Sequence, residues 1–214
     1  MATLKEQTPP VAGVILAGGL ATRMGGGDKT LKAIGERKIL DIVIERIRPQ
    51  VADLAFNTNN DPLIYTDLNM PIISDHFENR YGPLAGILAG MEWACQKGYS
   101  LMVTIAGDTP FFPEDLVSKL VFRQRPDQES IVLAATRDTA SEKIYRHPTF
   151  GLWSVHLRHD LRENLAKGVR KIVQWTDQHH AKLVEFPTGK VDPFFNINTP
   201  ADLQEAESLM RYMK

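Results

Sequence analysis

Short apolar segments alternate with amphipathic segments along most of the chain. Apolar runs that end abruptly in glycine or polar residues predict buried strands, whereas apolar positions spaced three and four residues apart predict helices that cover a sheet. Strands are predicted at residues 11–17, 51–57, 70–74, 101–106, 131–135, 148–153 and 181–186. Helices are predicted at residues 38–48, 63–67, 83–97, 113–122, 155–166, 170–177 and 200–212.

The alternation of strands and helices in the first half predicts right-handed β-α-β units. The expected fold class is therefore α/β, with a three-layer, Rossmann-like, mostly parallel sheet and helices on both faces. Ligands of such sheets bind beyond the carboxyl ends of the strands, near the point where the strand order reverses. The polar connection at residues 137–146 lies between two predicted strands, and we expect it to form a mobile flap.

Length and composition favour one globular domain of 214 residues with a net charge of −1. We expect a nucleotide-binding half at about 11–112 and an acceptor-binding half at about 113–214 that share one sheet. A nucleic-acid partner is not expected, because no basic block is present. Cys95 is the only cysteine, which excludes an internal disulfide. No signal peptide or membrane span is recognised, so a cytoplasmic, soluble protein is expected.

The histidines do not form a convincing zinc site. They do not have the spacing and the carboxylate neighbours that are typical of zinc ligands. We therefore expect them mainly on the surface: His156, His159, His179 and His180.

A glycine-rich loop follows the first predicted strand and is closed by Asp28-Lys29. Glycine allows backbone N–H groups to approach a ligand closely, and Arg23 and Lys29 add two positive charges, so the loop is suited to a polyphosphate. The spacing matches neither a Walker A loop nor a dinucleotide-binding turn. A loop that serves only as a turn is the alternative. The loop glycines are Gly18, Gly19, Gly25, Gly26 and Gly27.

Polar residues also follow the next three predicted strands, and they should lie at the same edge of the sheet. Asp108, within Gly107-Asp108-Thr109-Pro110, is the best candidate for a Mg²⁺ ligand, and a helix N-cap is its alternative role. Asn57 and Asp75 are candidates for contacting a nucleobase or supporting the metal, or they simply form turns.

The loop resembles the signature of the molybdenum cofactor guanylyltransferase (MobA) family, which is similar to other nucleotidyltransferases of the nucleotide-diphospho-sugar transferase type. The matching motifs are Leu16-Ala17-Gly18-Gly19, Arg23-Met24-Gly25-Gly26, Asp28-Lys29 and Gly107-Asp108-Thr109-Pro110. The extra glycine at Gly27 departs from the family pattern without removing a functional group.

The resemblance implies roles for individual residues. Lys29, Arg23 and Asp108 would be catalytic, and Asp108 would hold the metal. His147, Asn196 and Asn198 would lie on the pterin side. Residues expected to contact GTP are Leu16, Ala17, Gly18, Gly19, Lys29, Asn57, Asp75 and Asp108.

The implied reaction transfers GMP from GTP to molybdenum-molybdopterin, forming the guanine dinucleotide cofactor and pyrophosphate with Mg²⁺, or alternatively Mn²⁺. Molybdoenzyme apoproteins and cofactor-delivery proteins are the expected partners. Two alternatives stay open from the residues alone. One is a nucleotidyltransferase that uses CTP or another nucleotide on a phosphorylated acceptor, and the other is a non-catalytic carrier of nucleotide or cofactor.

Overall fold

The computed structural model describes residues 9–17, 28–75, 82–124 and 130–212. In these ranges the strands are β1 (Val11–Leu16), β2 (Ala33–Ile34), β3 (Arg37–Lys38), β4 (Asp53–Asn57), β5 (Ile72–Ile73), β6 (Leu101–Ala106), β7 (Ile131–Arg137), β8 (Ile144–Ser154) and β9 (Lys182–Phe186). The α-helices are α1 (Ile39–Ile47), α2 (Pro83–Gln96), α3 (Leu116–Arg123), α4 (Arg158–Ala166), α5 (Ile172–Gln178) and α6 (Pro200–Met210).

Seven strands form one sheet in the order β5-β4-β1-β6-β8-β7-β9, while β2 and β3 form a separate hairpin. β1 is parallel to both of its neighbours, β4 and β6. β8 is antiparallel to β6 and β7, and β9 is again parallel to β7. The predicted α/β class with a mostly parallel sheet is therefore confirmed, and the strand order reverses at β1.

Helices cover both faces of the sheet and divide the core into two apolar clusters. One cluster contains the buried faces of α1 and α3 together with Ala206 of α6. The other contains buried apolar residues of α2, α4 and α5. β1 and β6 are buried along their whole length, as expected for central strands that are covered on both sides. Within the described residues, no helix is long and apolar enough to cross a membrane.

The connection predicted as a flap at residues 137–146 is shorter than expected, because both flanking strands extend into it. Arg137 pairs with Ile144, and the N–H of Asp138 donates to the carbonyl of Lys143 at 2.9 Å. The first three residues of β8 are exposed, so no alternation of buried and exposed positions marked this part of the strand. The hairpin of β2 and β3 was also not predicted, since two-residue strands are too short to show alternation.

His156, His159 and His180 are exposed as expected, whereas His179 is only partly exposed. Its ring packs edge-on against Trp175, and its Nε2 lies 2.7 Å from Asp160 Oδ1. Trp175 Nε1 donates to the same oxygen at 2.7 Å. Burial acts to raise the pKa of Asp160, but these hydrogen bonds outweigh it and hold the pKa below its ordinary value. The contact joins α4 to α5 and is not visible in local sequence patterns.

The junction between the parallel and antiparallel parts of the sheet contains a buried hydrogen bond. Trp153 Nε1 on β8 donates to Thr104 Oγ1 on β6 at 2.8 Å, and both residues are fully buried. The indole N–H would have no access to water if its acceptor were removed. This hydrogen bond therefore contributes to the position of β6 beside β8.

Thr104→Val should destabilise the protein by about 1–3 kcal/mol, because it leaves the buried indole N–H without an acceptor at nearly unchanged volume. The free energy of unfolding in urea measures the effect. Thr104→Ser retains the acceptor and is the control. Equal stability of Thr104→Val and the wild type would show that the hydrogen bond contributes nothing.

Candidate active site

The carboxyl ends of the three strands β4, β1 and β6 are joined by backbone hydrogen bonds. The N–H of Ala17 donates to the carbonyl of Asn57 at 2.8 Å, and the N–H of Gly107 donates to the carbonyl of Leu16 at 2.9 Å. Because β1 is the strand at which the order reverses, this edge is where an open parallel sheet binds its ligands. The groups that follow these strands are thereby held close together.

Lys29 and Asp108 form an ion pair at this edge. Lys29 opens a short 3-10 helix, Lys29–Leu31, whose N-cap is Asp28. Asp108 follows β6 by two residues and receives a hydrogen bond from Thr109 Oγ1 at 3.1 Å. The two charged side chains are mostly buried, with 18% and 19% exposure respectively. An ammonium group and a carboxylate thus face each other in a partly dehydrated crevice.

Asn198 also contacts Lys29, although the prediction placed it on the pterin side. Its Oδ1 accepts a hydrogen bond from Lys29 Nζ at 2.8 Å across 169 residues of sequence. The backbone N–H of Asn198 donates to Asp202 at 2.8 Å, and this bond is the main reason that the pKa of Asp202 is lowered. Thr199 is the N-cap of α6 and forms a capping box with Asp202, as its sequence predicts.

Asn57 and Asp75 lie together at the ends of β4 and β5. Asn57 Nδ2 donates to Asp75 Oδ1 at 3.1 Å, and Asn59 Nδ2 donates to Asp75 Oδ2 at 2.8 Å. Asn57 is 3% exposed, whereas Asp75 is partly exposed. Both oxygens of the carboxylate are therefore oriented by amides, and the carboxylate still has capacity for further donors.

The predicted loop residues Gly18, Gly19 and Arg23 lie outside the described residues. Leu16 and Ala17 are described, and both take part in the backbone contacts at the end of β1. The fixed end of β1 and the ion-paired Lys29 are therefore the two points between which the glycine-rich loop runs.

His147 lies in the second half of the sheet, on β8, beside a cleft of about 410 Å³ that Tyr145 and Asp192 also line. Its ring stacks on Phe194 with centroids 4.2 Å apart, and its Nε2 lies 2.9 Å from Thr136 Oγ1. Burial lowers the pKa of His147, and the nearby charge of Asp192 opposes this effect. The imidazole is therefore neutral at physiological pH.

One segment, residues 192–199, links this cleft to the ion pair. Phe194 stacks on His147, and three residues later the N–H of Ile197 donates to the carbonyl of Asp108 at 3.0 Å. Asn196 lies between them and is exposed. The sequence did not indicate this link, because it depends on contacts between distant parts of the chain.

The residues at this edge fit a magnesium ion that is held mainly by substrate. The described residues contain no cluster of three or more His, Cys, Asp or Glu side chains suited to a metal. A single carboxylate, such as Asp108, is nevertheless enough for Mg²⁺ when phosphate oxygens and water supply the other ligands. Its partner Lys29 is a flexible cation that is able to move to a phosphate group.

A mostly parallel sheet with a lysine–aspartate pair at its switch point is compatible with a nucleotidyltransferase, and comparisons with known proteins show that class. The family model of the MobA-like NTP transferase domain matches residues 13–182. The chain belongs to the MobA-like NTP transferase family.

Curated relatives from two bacteria resemble the chain over nearly its whole length. Molybdenum cofactor guanylyltransferase of Rhodopseudomonas palustris is 42% identical over 204 residues, covering 94% of this chain and 92% of the relative. The protein of the same name from Mesorhizobium japonicum is 41% identical over 208 residues, covering 95% and 97%.

Solved structures show the same fold at low sequence identity. Molybdopterin-guanine dinucleotide biosynthesis protein A of Archaeoglobus fulgidus superposes with a TM-score of 0.71 at 22% identity, over 95% of this chain and 100% of that chain. A 4-diphosphocytidyl-2C-methyl-D-erythritol synthase of Anaerococcus prevotii gives 0.70 at 16% identity, over 95% and 97%.

Gly86 on α2 is required for the position of Asn57. A Cβ at this residue would overlap Asn57 Oδ1 and would come within 3.1 Å of Leu16 Cδ2. Gly86→Ala should therefore displace the buried amide and break its contact with Asp75, at a cost of about 1–3 kcal/mol. Urea unfolding measures this loss of stability.

Gly189→Ala is the matched control for Gly86→Ala, because a Cβ at Gly189 meets nothing within 4 Å. The control should change stability by less than about 0.5 kcal/mol. Equal stability of the two variants would mean that the amide of Asn57 has room to move without loss.

Proposed function

We propose that this protein transfers GMP from GTP to the molybdenum cofactor and releases pyrophosphate. The observation that supports this most is the Lys29–Asp108 ion pair at the carboxyl ends of β1 and β6. The curated relatives at about 40% identity, named molybdenum cofactor guanylyltransferase, supply the identity of the donor and acceptor.

In the proposed reaction, a phosphate oxygen of the acceptor attacks the α-phosphorus of GTP, and the bond to the β-phosphate oxygen breaks. Catalysis of such a transfer comes mostly from positioning and charge neutralisation. Lys29 binds phosphate oxygens on the leaving-group side, and Arg23 adds a second positive charge. A phosphate monoester is already largely anionic at neutral pH because its second pKa is about 6, so no strong general base is needed.

Asp108 is the proposed magnesium ligand, with Mn²⁺ as a substitute. A divalent cation, when bound, supplies neutralisation of the phosphate charge. Asp108 has an anchored backbone, since Ile197 donates to its carbonyl. Nucleotide binding transfers Lys29 from the carboxylate to the phosphates and leaves Asp108 available to the cation.

Asp75 is the proposed reader of the guanine base. The Watson–Crick edge of guanine carries N–H donors, and a carboxylate accepts them. The two amides of Asn57 and Asn59 already fix the orientation of this carboxylate. Cytosine offers a different set of donors and acceptors at the same edge, so Asp75 also contributes to nucleotide choice.

The acceptor half, about residues 113–214, supplies the pterin side of the site. The cleft beside His147 has a neutral imidazole, an aromatic neighbour and several hydroxyl groups, which suit a planar heterocycle with mixed donors and acceptors. Asn196 lies in the sequence between Phe194, which stacks on His147, and Ile197, which donates to Asp108. We further propose that the reaction takes place in the cytoplasm and that the product passes to molybdoenzyme apoproteins or to cofactor-delivery proteins.

Incubation of the protein with molybdenum-molybdopterin, Mg²⁺ and each of the four ribonucleoside triphosphates tests the proposal directly. Pyrophosphate release should be at least tenfold faster with GTP than with the other three, and the product should contain GMP. Preference for CTP would identify a different transferase. Nucleotide binding without any pyrophosphate release would identify a carrier.

Asp108→Asn should reduce pyrophosphate release by about 100-fold or more, because it removes the charge that holds the cation while keeping the side-chain shape. GTP affinity should change by less than about tenfold, since Lys29 remains available to the phosphates. The exposed Asp67→Asn is the control and should be fully active. Unchanged turnover in Asp108→Asn would remove the metal role from this residue.

A further inference from the structure

The carboxylate of Asp28, immediately before Lys29, is held by donors from two separate parts of the chain. Thr30 donates to Oδ1 from its backbone N–H at 2.8 Å and from its hydroxyl at 2.7 Å. Asn60 Nδ2 donates to Oδ2 at 3.2 Å, and the hydroxyl of Tyr65 donates to the same oxygen. The first pair of donors forms the local turn, and the second pair ties that turn to the segment between β4 and β5.

Tyr65 is placed rigidly for this contact. It is 2% exposed, and its ring lies against Phe56 of β4 with centroids 4.8 Å apart. Asn60 Nδ2 also donates to its hydroxyl oxygen at 3.0 Å. Burial raises the pKa of Tyr65, partly offset by the hydrogen bond from Asn60, so the phenol stays a proton donor at neutral pH.

Asp28 begins the turn that carries Lys29. Asp28 is the N-cap of the 3-10 helix Lys29–Leu31, and Lys29 is the first residue of that helix. Lys29 then reaches Asp108 and Asn198 on the other side of the crevice. The packing of the Tyr65 ring would be satisfied equally by phenylalanine, whereas the hydroxyl is directed at the residue next to Lys29.

We propose that Tyr65, assisted by Asn60, is a positioning residue for Lys29: its hydroxyl fixes Asp28, and Asp28 sets the turn that aims the ammonium group at Asp108. The inference rests on the proposed function for the role of Lys29 in catalysis. Tyr65 itself touches no reacting atom.

Tyr65→Phe should lower kcat by about tenfold, because a small misplacement of a catalytic group is costly, and should leave the KM for GTP within about threefold. Tyr99→Phe is the matched control. It also removes a tyrosine hydroxyl that donates to an aspartate, Asp53 at 2.9 Å, but at the opposite end of the sheet. The control should retain wild-type kcat.

A double variant with Lys29→Ala distinguishes a positioning role of Tyr65 from a general structural role. In a Lys29→Ala background, Tyr65→Phe should reduce kcat by less than about twofold further, because its target is gone. An unchanged kcat in the single variant would overturn the inference, and so would a full tenfold loss in the Lys29→Ala background.

A chemical readout keeps the test independent of the reaction. Acetylation of Lys29 by acetic anhydride, followed by mass spectrometry, should be at least threefold faster in Tyr65→Phe and unchanged in Tyr99→Phe. If the wild type transfers no nucleotide, the proposed function fails while this readout still decides the positioning claim. If Tyr65→Phe does not fold, Asn60→Ala replaces it, because Asn60 is exposed. Acetylation of Lys29 should be faster by the same factor in this variant, and an unchanged acetylation rate would overturn the inference.

Discussion

Parallel pairing of β1 with both β4 and β6 is the constraint on which the site depends. It brings three carboxyl ends to one edge, where the backbone contacts at Ala17 and Gly107 lock them together. Lys29 and Asp108 meet at that edge in a partly buried setting, where an unpaired charge would be costly. Pairing stabilises both groups in the free protein, and in the proposed reaction the nucleotide becomes the new partner of Lys29 and the divalent cation that of Asp108.

The second half of the chain adds β7, β8 and β9 to the same sheet and brings Asn198 to this edge. The strand β8 joins the sheet antiparallel to β6, and Trp153 and Thr104 fix the junction. The segment 192–199 then returns to the edge, where Ile197 contacts Asp108 and Asn198 contacts Lys29. Asn198, next to the start of the last helix, thus contacts the same ammonium group of Lys29 as Asp108 after β6. The cleft beside His147 is connected to this ion pair through one short segment.

Local signals predicted much of the fold. β6 has its predicted bounds because a compact apolar run ends in Gly107, and α6 begins at its predicted cap because Thr199, Pro200 and Asp202 are strong start signals. The carboxyl ends of parallel strands meet at one edge of a sheet, and this also predicted that Lys29 and Asp108 would lie on one side of the molecule. The contacts of Asn198 with Lys29 and of Tyr65 with Asp28 were not predicted. The local sequence pattern indicates only the start of a helix at Asn198 and only a core aromatic at Tyr65. The short hairpin of β2 and β3 and the exposed start of β8 lacked the apolar alternation that would have revealed them.

The position of a bound triphosphate tests the central claim most directly. A crystal structure with a non-hydrolysable GTP analogue and Mg²⁺ should place the triphosphate at the carboxyl ends of β1 and β6, with Lys29 Nζ about 2.7–3.2 Å from a phosphate oxygen. In that complex Lys29 should have left Asp108. A triphosphate bound away from this edge, with the Lys29–Asp108 ion pair intact, would contradict the account.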